Sequence, residues 1–330
     1  MKKTPENKIP VVLSFDQNML VPAGVCMTSL LMNALPDTFY DFIVLYSPAD
    51  LPENKRKELL KVADVFPNCR LSFFNVGSAF QGAYEVRDIT ICTYYRLLLP
   101  DLMDEINGLN GTDYRTFIYM DVDIVAECDL GMLYNRCCEQ QDVWVFGVCE
   151  SPLYWGTDAA YHNSIGCDAK NYINAGVLVM NAATMKRHGF TEECLKHRER
   201  KYLYQDQDII NIVCKGHVRL LPLKYNFTWS LYRSIEEPRF RDMKKEEIEE
   251  ASSGCVIHYT GEKPWKALCF RFETWWHYYE KSAFADATTP IALYNSIPEK
   301  VISSPPLQKM LRKVFLSRLG KNLFRKKKNR

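Results

Sequence analysis

The sequence predicts an α/β fold. Short apolar, β-branched runs alternate with helical patterns along the N-terminal part of the chain, a strongly apolar run near the middle ends directly in acids, and no period of 20 to 50 residues repeats. After a polar segment, 1–9, expected to be disordered, IPVVLSF (9–15) reads as a buried strand. Asp16, Gln17 and Asn18 form a polar loop, and Val25, Leu30, Leu31 and Ala34 then share one helix face. Pro22 opens that helix with a fixed φ and no lost donor. FIVLYS (42–47), a charged helical stretch 52–64 and LSFFNV (71–76) repeat the alternation, so a parallel sheet flanked by helices is the economical architecture. Ligands of such sheets bind beyond the carboxyl ends of the strands.

Residues 90–103 (TICTYYRLLLPDLM) have helical spacing with one buried-looking cation, Arg96. TFIYMDVDIVAECDL (116–130) carries a strand into acids, and VWVFGV (143–148) and YINAGVLVMN (172–181) are further strands. The polar, aromatic stretch 150–171 between them reads as a functional loop. Residues 182–214 are helical, interrupted by YLYQDQDIIN, and 215–281 mix short strands with charged helix. Four prolines mark 284–306 as a linker to a basic segment, 307–330.

With 330 residues and 47% apolar content the chain can bury a large core, and one domain, 10–283, is expected. The twelve cysteines form no CxxC pair and sit mostly in apolar runs, such as Cys92 and Cys149, where a thiol behaves as a small hydrophobe. With no secretory signal pattern at the N-terminus, the expected compartment is the reducing cytoplasm. No apolar stretch is long enough to span a bilayer. The net charge of +2 is uneven: residues 307–330 hold ten of the 42 basic residues and no acid, leaving 32 basic against 40 acidic, or −8, for the rest. Leu307, Met310, Leu311, Val314, Phe315, Leu316 and Leu319 form an apolar stripe opposite Lys309, Arg312, Lys313, Arg318 and Lys321. That pattern suits an amphipathic helix on an anionic membrane surface, so peripheral attachment to the inner face of the cell membrane is expected. Nucleic acid is not an expected partner, because the body is acidic and shows no RNA-binding aromatic platform.

Asp121 and Asp123 follow the strand FIYM two positions apart, with Val122 between them, so an extended chain projects both carboxylates to one side. Burying both without a cation costs several kcal/mol, on the order of a broken buried pair, and a hard divalent ion such as Mn²⁺ or Mg²⁺ is the natural occupant. In CVIHYTGEKPW (255–265) a short strand delivers His258, a nitrogen ligand that favours Mn²⁺ slightly, followed by Gly261 and Lys263.

These segments resemble glycosyltransferase family 8, in particular its bacterial lipooligosaccharide galactosyl- and glucosyltransferases. SFDQNM, YYRLLLPDLM, FIYMDVDIV, YINAGVLVMN, YQDQDIINIV with LPLKYNF, and HYTGEKPW occur in the family's order between Pro10 and Trp265. The resemblance implies a GT-A-like fold: a Rossmann-type nucleotide half and an acceptor half around one continuous mixed sheet. It implies Mn²⁺ held by Asp121, Asp123 and His258, and UDP-glucose or UDP-galactose as donor. Asp16 and Asn18 would hold the uridine moiety, Arg96 and Lys263 would face the diphosphate and donor sugar, and Asn174, Ala175 and Gly176 would line the hexose with Asp206. The donor site as a whole takes in Val122, Gln207 and Gly261 as well. The family commonly has two residues between the glycine and lysine of its last motif. Here only Glu262 intervenes, which shifts an extended loop by about 3 Å.

The implied reaction is retaining transfer of the hexose to an oligosaccharide or glycolipid acceptor such as lipooligosaccharide. Gln207 and Asp206 are the candidate catalytic residues. An amide is a feeble nucleophile, so front-face attack is expected, with Gln207 stabilising the cationic sugar, while Asp206 or Asp208 would serve a double displacement. A metal-dependent UDP-sugar hydrolase and transfer to a protein acceptor are the competing readings. The tyrosine- and tryptophan-containing loops 150–172 and 225–240 favour a saccharide acceptor over hydrolysis.

Overall fold

A computed structural model describes residues 7–77, 91–150, 159–234, 245–252, 254–286 and 289. Strand β1 (Asn7–Ser14) starts in what the sequence suggested was a disordered segment, because Asn7 and Lys8 already pair with Thr38 and Phe39 of β2 (Thr38–Tyr46). A 3₁₀ turn at Gln17–Met19 leads into α1 (Leu20–Met32). Helices α2 (Glu53–Leu59) and α3 (Lys61–Val65) precede β3 (Cys69–Asn75). A 3₁₀ segment, Ile91–Leu98, runs into α4 (Leu99–Asn110), which stops at Gly111 in the left-handed conformation (φ 62°). Then follow β4 (Phe117–Met120), β5 (Ile124–Ala126), α5 (Gly131–Cys138), β6 (Val145–Cys149), α6 (Ala159–Ser164) and β7 (Ile173–Met180). Helices α7 (Ala182–Arg187), α8 (Phe190–Leu195) and α9 (Gln205–Val213) precede β8 (Val218–Leu220) and β9 (Phe227–Thr228). Helix α10 (Trp229–Ser234), α11 (Lys245–Ser252), β10 (Val256–His258) and α12 (Phe272–Lys281) complete the described chain.

Among the described residues the main sheet has seven strands in the order β3-β2-β1-β4-β7-β6-β8. It is mixed, as the resemblance implied, and its N-terminal strands run parallel, as the alternation suggested. Strand β7 is antiparallel to both neighbours, β4 and β6, while β1, β2, β3 and β4 run parallel. The sheet is not continuous through the C-terminal half: β5, β10 and β9 form a separate three-stranded ladder, because the chain bends at Asp121–Asp123 and leaves the main sheet.

Alternation along β1 places Val11 and Leu13 in the core on one side of the sheet and Val12 in the core on the other. Helix α1 buries almost every residue rather than one face, because it is packed between the sheet, β5 and α12. Phe284 docks on α1 against Gly24, where a Cβ would lie 2.2 Å from its ring. Residues 284–286 therefore belong to the folded body, not to a linker. The rest of the expected linker, apart from residue 289, and the whole basic segment 307–330 lie outside the described residues. Among the described residues no helix is long and apolar enough to cross a membrane.

Candidate active site

Strands β1, β4 and β6 end at the same edge of the sheet, where β7 begins, and the candidate residues gather there. The Asp121 amide still bonds the Gly176 carbonyl (2.8 Å), and the Asp123 carbonyl accepts from the Tyr259 amide (3.0 Å). The bend between these anchors is what brings the carboxylates together. His258 arrives at the end of β10, paired with Ile124 on one side and Thr228 on the other. Its Nε2 lies 3.4 Å from Asp123 Oδ1 and 3.9 Å from Asp121 Oδ2. One ligand atom from each of the three residues falls within a 4.8 Å cluster. Two carboxylates and an imidazole suit a divalent ion of the Mn²⁺ or Mg²⁺ type, so the residues present fit the cation the sequence implied.

Lys263 spans the loop that is one residue short and still reaches the centre, with Nζ 2.6 Å from Asp123 Oδ2. Trp276 Nε1 donates to the Pro264 carbonyl (3.0 Å) and ties this loop to α12. Burial alone would raise the Asp123 carboxyl, but the Lys263 ammonium beside it outweighs burial and holds Asp123 well below the usual carboxylate range. Asp123 is thus an anion throughout the physiological range.

Arg96 is the buried cation the sequence suggested, 2% exposed, with its guanidinium 4.2 Å from the Tyr119 ring centroid. It donates to Asp121 Oδ1 (3.0 Å), the Thr93 carbonyl (2.8 Å) and the Ala175 carbonyl, and its Nε forms an ion pair with Asp206 Oδ2 (2.9 Å). Burial pushes the Asp206 carboxyl up, Arg96 opposes it and Asp121 adds to it, leaving a pKa of about 6 against an ordinary 3.8. A raised carboxyl favours the folded state most while protonated. Its contribution is full below pH 3.8 and is lost as the pH rises to about 6. Replacing Asp206 with Asn should flatten that decline in the metal-free protein, as followed by urea unfolding across this range. An unchanged slope would contradict the buried, proton-binding state of Asp206.

The segment Asn174-Ala175-Gly176 turns out to be a frame for the other residues. The Ala175 amide donates to Gln207 Oε1 (2.9 Å), and Gly176 lies directly under the His258 ring. Gln207 Nε2 donates to Glu150 Oε2 (3.2 Å), which also accepts from Asn174 Nδ2 (2.9 Å). Asp208, left open as a nucleophile by the sequence, is fully buried and accepts from Tyr172 Oη (2.5 Å), Tyr161 Oη (2.6 Å) and the Tyr204 amide (2.8 Å). Those bonds make it a structural acceptor at the start of α9.

Asp16 follows β1 and accepts from the Asn18 amide (2.7 Å), which leaves the Asn18 side chain exposed beside the same sheet edge. Val122 points into the core, 4% exposed, so only its backbone can face a ligand. Gly261 is exposed, and a Cβ there would meet nothing within 4 Å. Two residues escaped the sequence reading. Glu150 follows a strand candidate, and its place at a carboxyl end was a usable signal. Asn226 sits in the quoted segment LPLKYNF, but an amide carries no motif chemistry that singles it out. Much of the two aromatic loops, 151–158 and 235–244, lies outside the described residues. Of the rest, Trp229 is 45% exposed and stacks on Tyr232 (5.6 Å) beside Phe270.

A family model described as glycosyl transferase family 8 matches residues 10–269. A Haemophilus influenzae protein named as a glycosyltransferase is 30% identical over 211 residues, 61% of this chain and 58% of its own length. The lipopolysaccharide 1,3-galactosyltransferase of Salmonella typhimurium is 23% identical over 265 residues, covering 78% of this chain and 73% of its own. The crystal structure of the galactosyltransferase LgtC with donor and acceptor sugar analogues superposes with a TM-score of 0.68 at 25% identity, over 85% of this chain and 98% of that one.

Proposed function

The chain belongs to glycosyltransferase family 8, and from that premise we propose that it moves a hexose, glucose or galactose, from a UDP-sugar to a saccharide acceptor with retention of the α configuration. The observation that carries this reading is the cluster of Asp121, Asp123 and His258 beside the cations Arg96 and Lys263 at the carboxyl ends of parallel strands. A divalent ion bound there, Mn²⁺ before Mg²⁺, supplies positive charge for the leaving diphosphate.

The chain's own residues do the rest. Asp16 and Asn18, at the end of β1, hold the uridine moiety. Lys263 faces the diphosphate from the β10 side, and Arg96 fixes Asp121 and the Ala175 carbonyl as a rigid wall of the donor site. Gln207 is held at both ends of its amide, so it is positioned to stabilise a cationic sugar rather than to attack it. Front-face attack follows, with a phosphate oxygen of the departing UDP taking the acceptor's proton. The exposed face of Trp229 and its aromatic neighbours suits the sugar rings of an acceptor. By analogy with the galactosyltransferase named above, that acceptor is a lipopolysaccharide-type glycan. The basic segment 307–330 would hold the enzyme beside it at an anionic membrane face.

A donor screen with UDP-glucose, UDP-galactose and UDP-N-acetylglucosamine, followed by proton NMR of the new linkage, tests this reading. One of the two hexoses should be transferred with an α linkage. A β-linked product would overturn both retention and the assigned roles.

A further inference from the structure

Asn226 is completely buried between β9 and the site, and its amide bridges two other side chains. Its Nδ2 donates to Asn174 Oδ1 (2.8 Å), and its Oδ1 faces His258 Nδ1 (2.9 Å). An amide can be turned end for end without changing its shape, so its direction must come from groups whose polarity is fixed. Two such groups sit at the far end of the chain of bonds. The Gly176 backbone amide can only donate, and it donates to Asn174 Oδ1 (2.9 Å). The Glu150 carboxylate accepts from Asn174 Nδ2 (2.9 Å). Both ends of Asn174 are thereby set, its oxygen must face Asn226, and Asn226 must answer with its NH₂. That leaves the Asn226 carbonyl toward His258, and a ring nitrogen facing a carbonyl must carry a proton.

We infer that Asn226 is a positioning residue that holds His258 as the Nδ1–H tautomer and so presents the Nε2 lone pair to the cation between Asp121 and Asp123. The 3.4 and 3.9 Å separations from Nε2 to the two carboxylates exceed the roughly 2.7–3.2 Å of a well-formed N–H···O bond, as suits a nitrogen that donates to neither. A ligating histidine needs its other nitrogen engaged in this way, because the partner sets both ring orientation and basicity. Gly176 serves the relay twice, by its amide and by leaving room for the ring. The role of Nε2 rests on the cation reading of the cluster, whereas the tautomer does not.

Long-range ¹H–¹⁵N correlation spectra of the metal-free full chain in mildly alkaline buffer should show His258 protonated at Nδ1 and bare at Nε2. Asn226→Leu keeps about the same volume but removes the acceptor, and it should mix the two tautomers. It should also weaken Mn²⁺ binding, followed by electron paramagnetic resonance of the free ion, by about 10–100-fold. Asn226→Asp keeps an acceptor at Nδ1 and, with its fully buried carboxyl protonated, still donates to Asn174 Oδ1, so it should keep both the tautomer and the Mn²⁺ affinity. A wild-type His258 protonated at Nε2, or Asn226→Leu with wild-type Mn²⁺ affinity, would overturn the inference. If Asn226→Leu does not fold, the wild-type spectrum and Asn226→Asp decide it, and a folded Asn226→Asp that has lost the metal counts against it. A wild-type chain that binds no Mn²⁺ would refute the cation reading, while the spectra would still judge the relay.

Discussion

Replacing Gly176 with alanine is expected to remove Mn²⁺ binding while leaving the fold in place. A Cβ at this position would lie 2.1 Å from His258 Cε1 and 2.6 Å from Nδ1, far inside contact distance. The backbone cannot retreat, because its amide bonds Asn174 Oδ1 and its carbonyl receives the Asp121 amide in the middle of the main sheet. The imidazole must move instead, and it loses the 2.9 Å bond to Asn226 as it does so. Gly176 does not have a positive φ, so alanine suits the strand itself and the damage stays in the site. The Mn²⁺ affinity should fall by at least about 100-fold, the upper range for lost ligand support. Thermal melting of the metal-free protein should change little. A folded Gly176→Ala variant with normal Mn²⁺ affinity would contradict the placement of His258 against β7.

Asp121→Ala and Asp123→Ala are each expected to lower kcat/KM by about 100- to 1000-fold, the cost of losing a charge that organises the transition state. Neither residue is part of the core: their side chains are 25% and 14% exposed and follow the end of β4. Asp121→Ala leaves Arg96 paired with Asp206, and Asp123→Ala frees Lys263 into a partly open loop, so no buried charge is orphaned. Chelation should imitate both substitutions. Turnover that survives in the double variant, or in excess chelator, would remove the metal from the account.

Much of this site was legible because its signals are local. Asp121 and Asp123 stand two apart after an apolar strand, His258 ends another strand, and Arg96 is a lone cation in an apolar helical pattern. Each is readable from its immediate neighbours. What was not legible depends on partners far along the chain. The antiparallel direction of β7 is set by its pairing with β4 and β6, and strand composition does not encode it. Asp208 looked like a nucleophile as plausible as Asp206, and only the hydroxyls of Tyr161 and Tyr172 reveal it as structural. The resemblance set Asn174, Ala175 and Gly176 along the hexose, but nothing in the segment itself announced that its polar groups are met by Glu150, Gln207, Arg96 and Asn226. Amide relays of this kind leave no periodicity and no fixed spacing in a sequence.

The reaction assigned to this chain is tested most directly by UDP release from UDP-glucose and UDP-galactose. The full chain would be freed of metal, and Mn²⁺ and a lipopolysaccharide-type oligosaccharide acceptor then added separately and together. Release is expected to depend on Mn²⁺, to rise strongly when the acceptor is present, and to match the amount of new glycoside formed. Equal release with and without Mn²⁺, or release that the acceptor does not increase and that ends only in free hexose, would contradict a metal-dependent transferase.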